Sequence, residues 1–273
     1  MWCAESRLVE TENASIYYET YGEGPAILFV PGIAETALHY YANIPHFVRA
    51  GYKVMVMNLR GHFLSPAADA VCHPRFFPGD IEAICNAEEV SRIALICESA
   101  GGWGGLRLAV EKPDLVHALV LMGSAAGVYS EENYGACVAA ADQLREGVAA
   151  GEKRPADMFA DGAERAFLAR QIALLSSNDG GLLPCPAVYL DTMIDKSAWL
   201  TAKDMEGYAV PTLIMGGDED DFMGRGFQRH TATLIPGAEL SSFLDAGHEP
   251  YWEDPERFNT VAHRWLKEQN WGS

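Results

Sequence analysis

Ser99 stands in Cys97-Glu98-Ser99-Ala100-Gly101-Gly102, where an apolar run, RIALIC over 92–97, gives way to the helical pattern GGWGGLRLAV. A serine on a tight strand-to-helix turn has its Oγ thrust into solvent. The turn asks for small residues two before and two after the serine, because it brings them against each other. Gly101 supplies the later one; Cys97 stands where glycine is usual and is small enough to fit. The helix behind the turn aims N–H groups and its positive end at the same place. The plain alternative, that Ser99 only caps this helix, loses weight against the pattern in the rest of the chain.

A serine hydroxyl is a poor nucleophile at neutral pH, so it needs a base, and the base needs an orienting carboxylate. The histidines are His39, His46, His62, His73, His117, His230, His248 and His263. His248 stands apart: it lies in Asp245-Ala246-Gly247-His248-Glu249-Pro250, between the last strand-like run and the C-terminal helical segment. His230 and His263 sit within helical segments and read as face residues. For the carboxylate, the best loop is Gly216-Gly217-Asp218-Glu219-Asp220-Asp221, where three aspartates crowd together and most must be solvated. The other loop at a comparable place, Gly123-Ser124-Ala125-Ala126, offers no acid. An oxyanion formed at Ser99 needs two N–H donors. One expected donor is the N–H of Ala100; the other is that of Ile33 in Pro31-Gly32-Ile33-Ala34-Glu35-Thr36, a segment that alone reads as a plain turn.

These residues need a frame that brings strand ends together. Short continuous apolar runs at 26–30, 53–58, 92–97, 117–122 and 211–215, with a further run at 239–244, suit strands buried on both faces of a parallel sheet. A hairpin at 7–11 and 15–20, turning at Glu12-Asn13-Ala14, precedes them. Helical segments at 37–50, 101–111, 224–234 and 255–270 lie between or after the runs, and that alternation is the α/β signature. It breaks once. From 129 to 208 no strong strand appears, while 135–149 and 158–176 look helical and 180–186 reads as a turn. The expected architecture is α/β, a mostly parallel sheet flanked by helices. Residues 1–128 and 209–273 form its core, and a helical lid over 129–208 is inserted after the sixth core strand.

Composition sets the limits. A chain of 273 residues, 49% hydrophobic and 21% charged, can bury a full core without staples. Its 38 acidic residues against 20 basic ones give a net charge of −18, which disfavours a nucleic-acid partner. Cys3, Cys72, Cys85, Cys97, Cys137 and Cys185 show no C-x-x-C spacing and read as small buried hydrophobes in a reducing compartment. No metal cluster, P-loop or G-x-G-x-x-G spacing appears, so no metal or cofactor is expected. The glycines of GGWGG are expected to allow close packing on the sheet. The N-terminal stretch lacks an apolar leader and no run reaches membrane length, so the cytoplasm, without a membrane partner, is the default expectation.

In Pro31-Gly32, Asn58-Leu59-Arg60-Gly61-His62-Phe63-Leu64-Ser65, Cys97-Glu98-Ser99-Ala100-Gly101-Gly102, Gly217-Asp218-Glu219-Asp220 and Gly247-His248, followed by Glu253-Asp254-Pro255-Glu256-Arg257-Phe258, the chain resembles the α/β-hydrolase superfamily in its lidded esterase and lipase-like branch. The resemblance covers nearly everything outside the lid. It departs at Pro31, Phe63 and Cys97. It implies a Ser99–Asp220–His248 triad, with the acid on Asp220, an oxyanion hole of the Ile33 and Ala100 N–H groups, and a small-molecule ester or lactone substrate. Met158, Phe159, Phe167, Leu168, Tyr189, Met193 and Trp199 are the lid residues expected near a pocket, most of them as lid core. The same fold also runs carbon–carbon bond hydrolysis, proton-transfer chemistry of the hydroxynitrile lyase or cofactor-free dioxygenase kind, and ligand reception, and fold alone does not choose among them.

Overall fold

The structure, a computed structural model, describes residues 5–33, 35–149 and 186–272. Eight strands form one sheet: β1 (Glu5–Thr11), β2 (Ala14–Tyr21), β3 (Ala26–Val30), β4 (Lys53–Met57), β5 (Ile93–Glu98), β6 (Val116–Met122), β7 (Thr212–Gly217) and β8 (Glu239–Phe243), in the order β1-β2-β4-β3-β5-β6-β7-β8. β1 and β2 are the antiparallel hairpin, β2 runs antiparallel to β4, and the rest is parallel. Asn13 takes a left-handed φ of 60° in the hairpin turn, a conformation its short polar side chain tolerates.

β3, β5 and β7 are buried along their whole length and β6 everywhere but at the half-buried His117, as continuous apolar runs between two helical layers require. β8 differs: Glu239 and Leu240 are exposed, because it is the sheet's edge. Across the middle of the sheet, Val30 pairs with Cys97 and Glu98 with Met122. This register places the loops after β3, β5 and β6 side by side.

The helices are α1 (Ile44–Arg49), α2 (Phe77–Ala87), α3 (Gly101–Glu111), α4 (Glu131–Ala149), α5 (Pro186–Met193), α6 (Phe227–Leu234), α7 (Pro250–Glu253) and α8 (Pro255–Glu268). Three differ from the sequence expectation. The segment 37–50 is not one helix but a 3-10 turn, Ala37–Tyr40, followed by α1, because Pro45 fits only the first turn of a new helix. α2 was not anticipated; Pro78-Gly79, which reads as a breaker, lies in its first turn, where proline is tolerated. α6 starts at Phe227, not 224, since Gly224 and Gly226 take φ of 100° and 80°.

On α3, a Cβ at Gly102, Gly104 or Gly105 would collide with Ser124, Phe77 or Cys97, so the small residues do serve close packing. The residue seated on Cys97 is Gly105, whereas Gly101 lies on the carbonyl oxygens of Val30 and Pro31. The expectation that the turn presses Gly101 against Cys97 is thereby corrected: α3 crosses the end of β3 with its first residue and meets β5 one turn later. Cys72, Cys85, Cys97 and Cys137 are free and buried; burial pushes the Cys85 thiol up to about 12, which makes it inert. Cys3 and Cys185 lie outside the described residues.

Between β6 and β7 the described residues form α4 and α5, and a short parallel bridge joins Val128 to Leu200. The expected helix at 158–176, the lid residues Met158, Phe159, Phe167 and Leu168, and the turn at 180–186 apart from Pro186 lie outside the described residues. Tyr189, Met193 and Trp199 are buried: the Tyr189 hydroxyl donates to the Arg60 carbonyl, and Trp199 Nε1 donates to the Met193 carbonyl. Among the described residues no helix is long and apolar enough to cross a membrane.

Candidate active site

Ser99 occupies the turn between β5 and α3 with φ of 43°, a left-handed conformation that a serine adopts only when its surroundings hold it. The holding bonds come from the end of β6. The Ser99 N–H donates to the Met122 carbonyl at 2.8 Å, and Ser124 Oγ donates to the Ser99 carbonyl at 2.6 Å. The helix cap is Ala100, without a side-chain capping bond. Ala100 is fully buried, Ile33 half-buried.

His248 is fully buried in the loop between β8 and α7. Its Nδ1 lies 2.9 Å from Asp220 Oδ2. The other Asp220 oxygen, Oδ1, accepts the N–H groups of Phe222 (3.1 Å) and Met223 (2.9 Å), so the carboxylate is fixed on both sides. The neighbouring aspartates go elsewhere. Asp218 pairs with Arg229 at 2.6 Å and Asp221 with Arg225 at 2.7 Å, both toward solvent. The Arg225 guanidinium holds the Asp221 carboxyl below its ordinary range. The two loops meet because Gly217 has no side chain; a Cβ there would strike the carbonyl oxygens of Ala246 and Gly247. Gly123, with φ of 52°, lies under the imidazole: a Cβ there would stand 2.9 Å from His248 Cε1 and 2.8 Å from its carbonyl oxygen. Glu253 closes the histidine loop by accepting the N–H groups of Gly247 (2.9 Å) and Glu249 (3.3 Å).

Three buried glutamates that motif reading passed over surround these residues: Glu35, Glu98 and Glu249, with oxygens all within 4.8 Å of one another. Glu35 accepts the Gly32 N–H at 2.8 Å, the Tyr251 hydroxyl at 2.5 Å and the Tyr40 hydroxyl at 3.1 Å. Burial, and then the charges of the three glutamates, push the Tyr40 and Tyr251 phenols well above their ordinary values, so both remain donors. An all-carboxylate set is of the kind that takes a hard cation. Here, however, both oxygens of Glu35 already accept protein hydrogen bonds, and we read the set as a hydrogen-bonded network. Packed this closely, the three carboxylates set like charge against like charge. The available signal in the sequence was acidic residues beside each motif, Glu98 before Ser99 and Glu249 after His248.

His62, from the loop after β4, is buried beside this network, and its Nδ1 lies 3.2 Å from the Arg60 carbonyl. Burial lowers its pKa to about 4, against smaller raising effects of the Arg60 carbonyl and Glu35. Between about pH 6.5 and pH 4 the unfolded chain therefore binds a proton at His62 that the folded chain does not, so stability falls as pH falls through that window. The expected cost at pH 4.5 is roughly 2–3 kcal/mol. Urea midpoints at pH 7 and pH 4.5 check it: His62→Gln should lose less stability on acidification than the parent, and an equal loss contradicts the assignment.

With sheet order, strand-to-helix turn and histidine loop in place, comparison with known proteins defines the class. The family model for the alpha/beta hydrolase fold matches residues 25–255. The chain belongs to the α/β-hydrolase family. It is similar to a solved thermophilic esterase of Thermogutta terrifontis, at 23% identity and a TM-score of 0.77, covering 97% of this chain and 99% of that one, which shows the fold. It is also 25% identical over 250 residues to the sn-1-specific diacylglycerol lipase of Mus musculus, across 89% of this chain and 81% of that protein. A 2-hydroxy-6-oxononadienedioate/2-hydroxy-6-oxononatrienedioate hydrolase of Escherichia coli is 25% identical over 289 residues, covering 96% of each chain.

Proposed function

We propose that this protein is a serine hydrolase that cleaves a small or medium ester or lactone through an acyl-enzyme intermediate. The observation that carries the reading is the buried 2.9 Å contact between His248 Nδ1 and Asp220, made at the strand ends where Ser99 stands on its strained turn. In this reading His248 Nε2 takes the Ser99 proton as Oγ attacks the acyl carbon. Asp220 holds the ring with its proton on Nδ1 and stabilises the imidazolium that forms. The N–H groups of Ile33 and Ala100 take the oxyanion, and His248 returns its proton to the leaving alcohol. A water, deprotonated by the same nitrogen, then releases the acid. No step calls for a metal or cofactor. Residues 129–208 act as the lid over this site, with Tyr189, Met193 and Trp199 within its core.

Carbon–carbon bond hydrolysis is the second reading, favoured by the likeness to the Escherichia coli dienedioate hydrolase. A dienedioate carries two carboxylates, and three buried glutamates beside His248 would repel such a substrate. A neutral ester suits this surrounding better. The test is a panel of esters, lactones, thioesters and one dienone acid, assayed beside Ser99→Ala. Turnover of an ester or lactone that the variant lacks supports the proposal; turnover of the dienone acid alone replaces it with the second reading.

A further inference from the structure

His248 meets a carboxylate at each ring nitrogen. Asp220 Oδ2 lies 2.9 Å from Nδ1, and Glu98 Oε1 lies 3.4 Å from Nε2, at ion-pair distance, with all three side chains buried. Glu98 reaches there from the last residue of β5, immediately before Ser99. Its second oxygen, Oε2, rests against Gly32: a Cβ added there would collide with it and would stand 3.1 Å from Ser99 Cβ. Glu98 thus fills the ground between the base, the loop after β3 and the nucleophile.

Nε2 is the nitrogen that the proposed reaction needs as a proton acceptor. An imidazole flanked by two ionised carboxylates is favoured as the imidazolium, and an imidazolium cannot take the serine proton. We propose that Glu98 is a positioning residue for His248: it holds the Nε2 edge of the ring in the resting enzyme and governs how much of the protein carries a base ready for Ser99. The inference rests on the ester-hydrolase reading for its consequence in catalysis, though not for its effect on the ring. In the resting step only the Nε2–H bond breaks: its proton passes to water, the electron pair stays on the nitrogen, and Ser99 Oγ–H then donates to it. Once the ring is charged during acyl transfer, the same carboxylate stabilises it. Glu98 therefore opposes the reaction at acid pH and assists it on the plateau.

The other titratable groups of the network that Glu98 joins come from several elements. Glu249 is on the His248 loop, Glu35 follows β3, Tyr40 precedes α1, Tyr251 is in α7, and His62 follows β4. Phe222 on the acid loop and Gly123 after β6 lie against the ring without charge. Glu98 Oε1 stands 3.4 Å from Nε2.

The experiment follows the His248 ring by 15N NMR against pH in the substrate-free protein, Glu98→Gln and Glu98→Asp, with the signals assigned through His248→Gln. The acid limb of kcat/KM is measured on the same three proteins. Loss of the charge in Glu98→Gln should move the ring midpoint and the kinetic limb to lower pH together, by about one unit. The ratio of kcat/KM at pH 6 to that at pH 8 should then rise about three- to sixfold while the plateau falls. The shorter Glu98→Asp should shift the ring the same way by less, and serves alone if Glu98→Gln does not fold. A ring midpoint unchanged in a folded variant overturns the inference. If no ester is turned over but the ring still shifts, the hydrolase reading fails while the hold of Glu98 on His248 stands.

Discussion

Ser99→Ala is expected to lower kcat on any ester the protein turns over by at least about 10³-fold, since removing a catalytic serine alone collapses such a site. Folding should survive. Ser99 is held by its backbone, through the bonds of its N–H to Met122 and of its carbonyl to Ser124, and neither involves the hydroxyl. Alanine keeps a Cβ of the same size and bears the same left-handed φ, so the thermal midpoint should move by no more than a few degrees. Circular dichroism melts and initial rates on one good ester check both halves. A variant that stays active would mean that Oγ is not the nucleophile, whatever the fold.

Asp220→Asn should cost at least about 10²-fold in kcat, because an amide at this position favours the wrong imidazole tautomer and gives no charge to the imidazolium; in serine proteases the same change costs about 10⁴-fold. The two neighbours supply the control. Asp218 and Asp221 are tied to Arg229 and Arg225 at the surface, so Asp218→Asn and Asp221→Asn should each change kcat by less than about threefold. The three variants measured side by side separate the roles. If Asp218→Asn or Asp221→Asn is the crippled one, the acid has been misassigned; if none matters, His248 takes its orientation from elsewhere.

The serine turn, the acid loop and the histidine loop were legible in the sequence because each is a short motif at the end of an apolar run. The strand ends of a parallel sheet bring such motifs together however far apart they lie along the chain. The central strands β3, β5, β6 and β7 were legible for a related reason: a strand covered on both faces reads as a nearly continuous apolar run. The edge strand β8 was less so, since Glu239 and Leu240 face solvent. α2 escaped because Pro78 and Gly79 break a helix in its interior but not in its first turn. The glutamate network was hidden for a different reason. Glu35, Glu98 and Glu249 come from the loop after β3, the end of β5 and the loop after β8, and an acidic residue read singly is a solvated one by default. Only the register that sets Val30 beside Cys97, and the absence of a side chain at Gly32, bring these carboxylates together and set Glu98 against His248.

The most direct test of the central claim is labelling with a fluorophosphonate, which phosphonylates a serine only where a base has activated it and N–H groups receive the oxyanion. Peptide mass spectrometry of the treated protein should find the adduct on Ser99 and on no other serine, and the label should vanish in Ser99→Ala and weaken sharply in His248→Gln. An adduct on a different serine, or none on well-folded protein, would contradict the account.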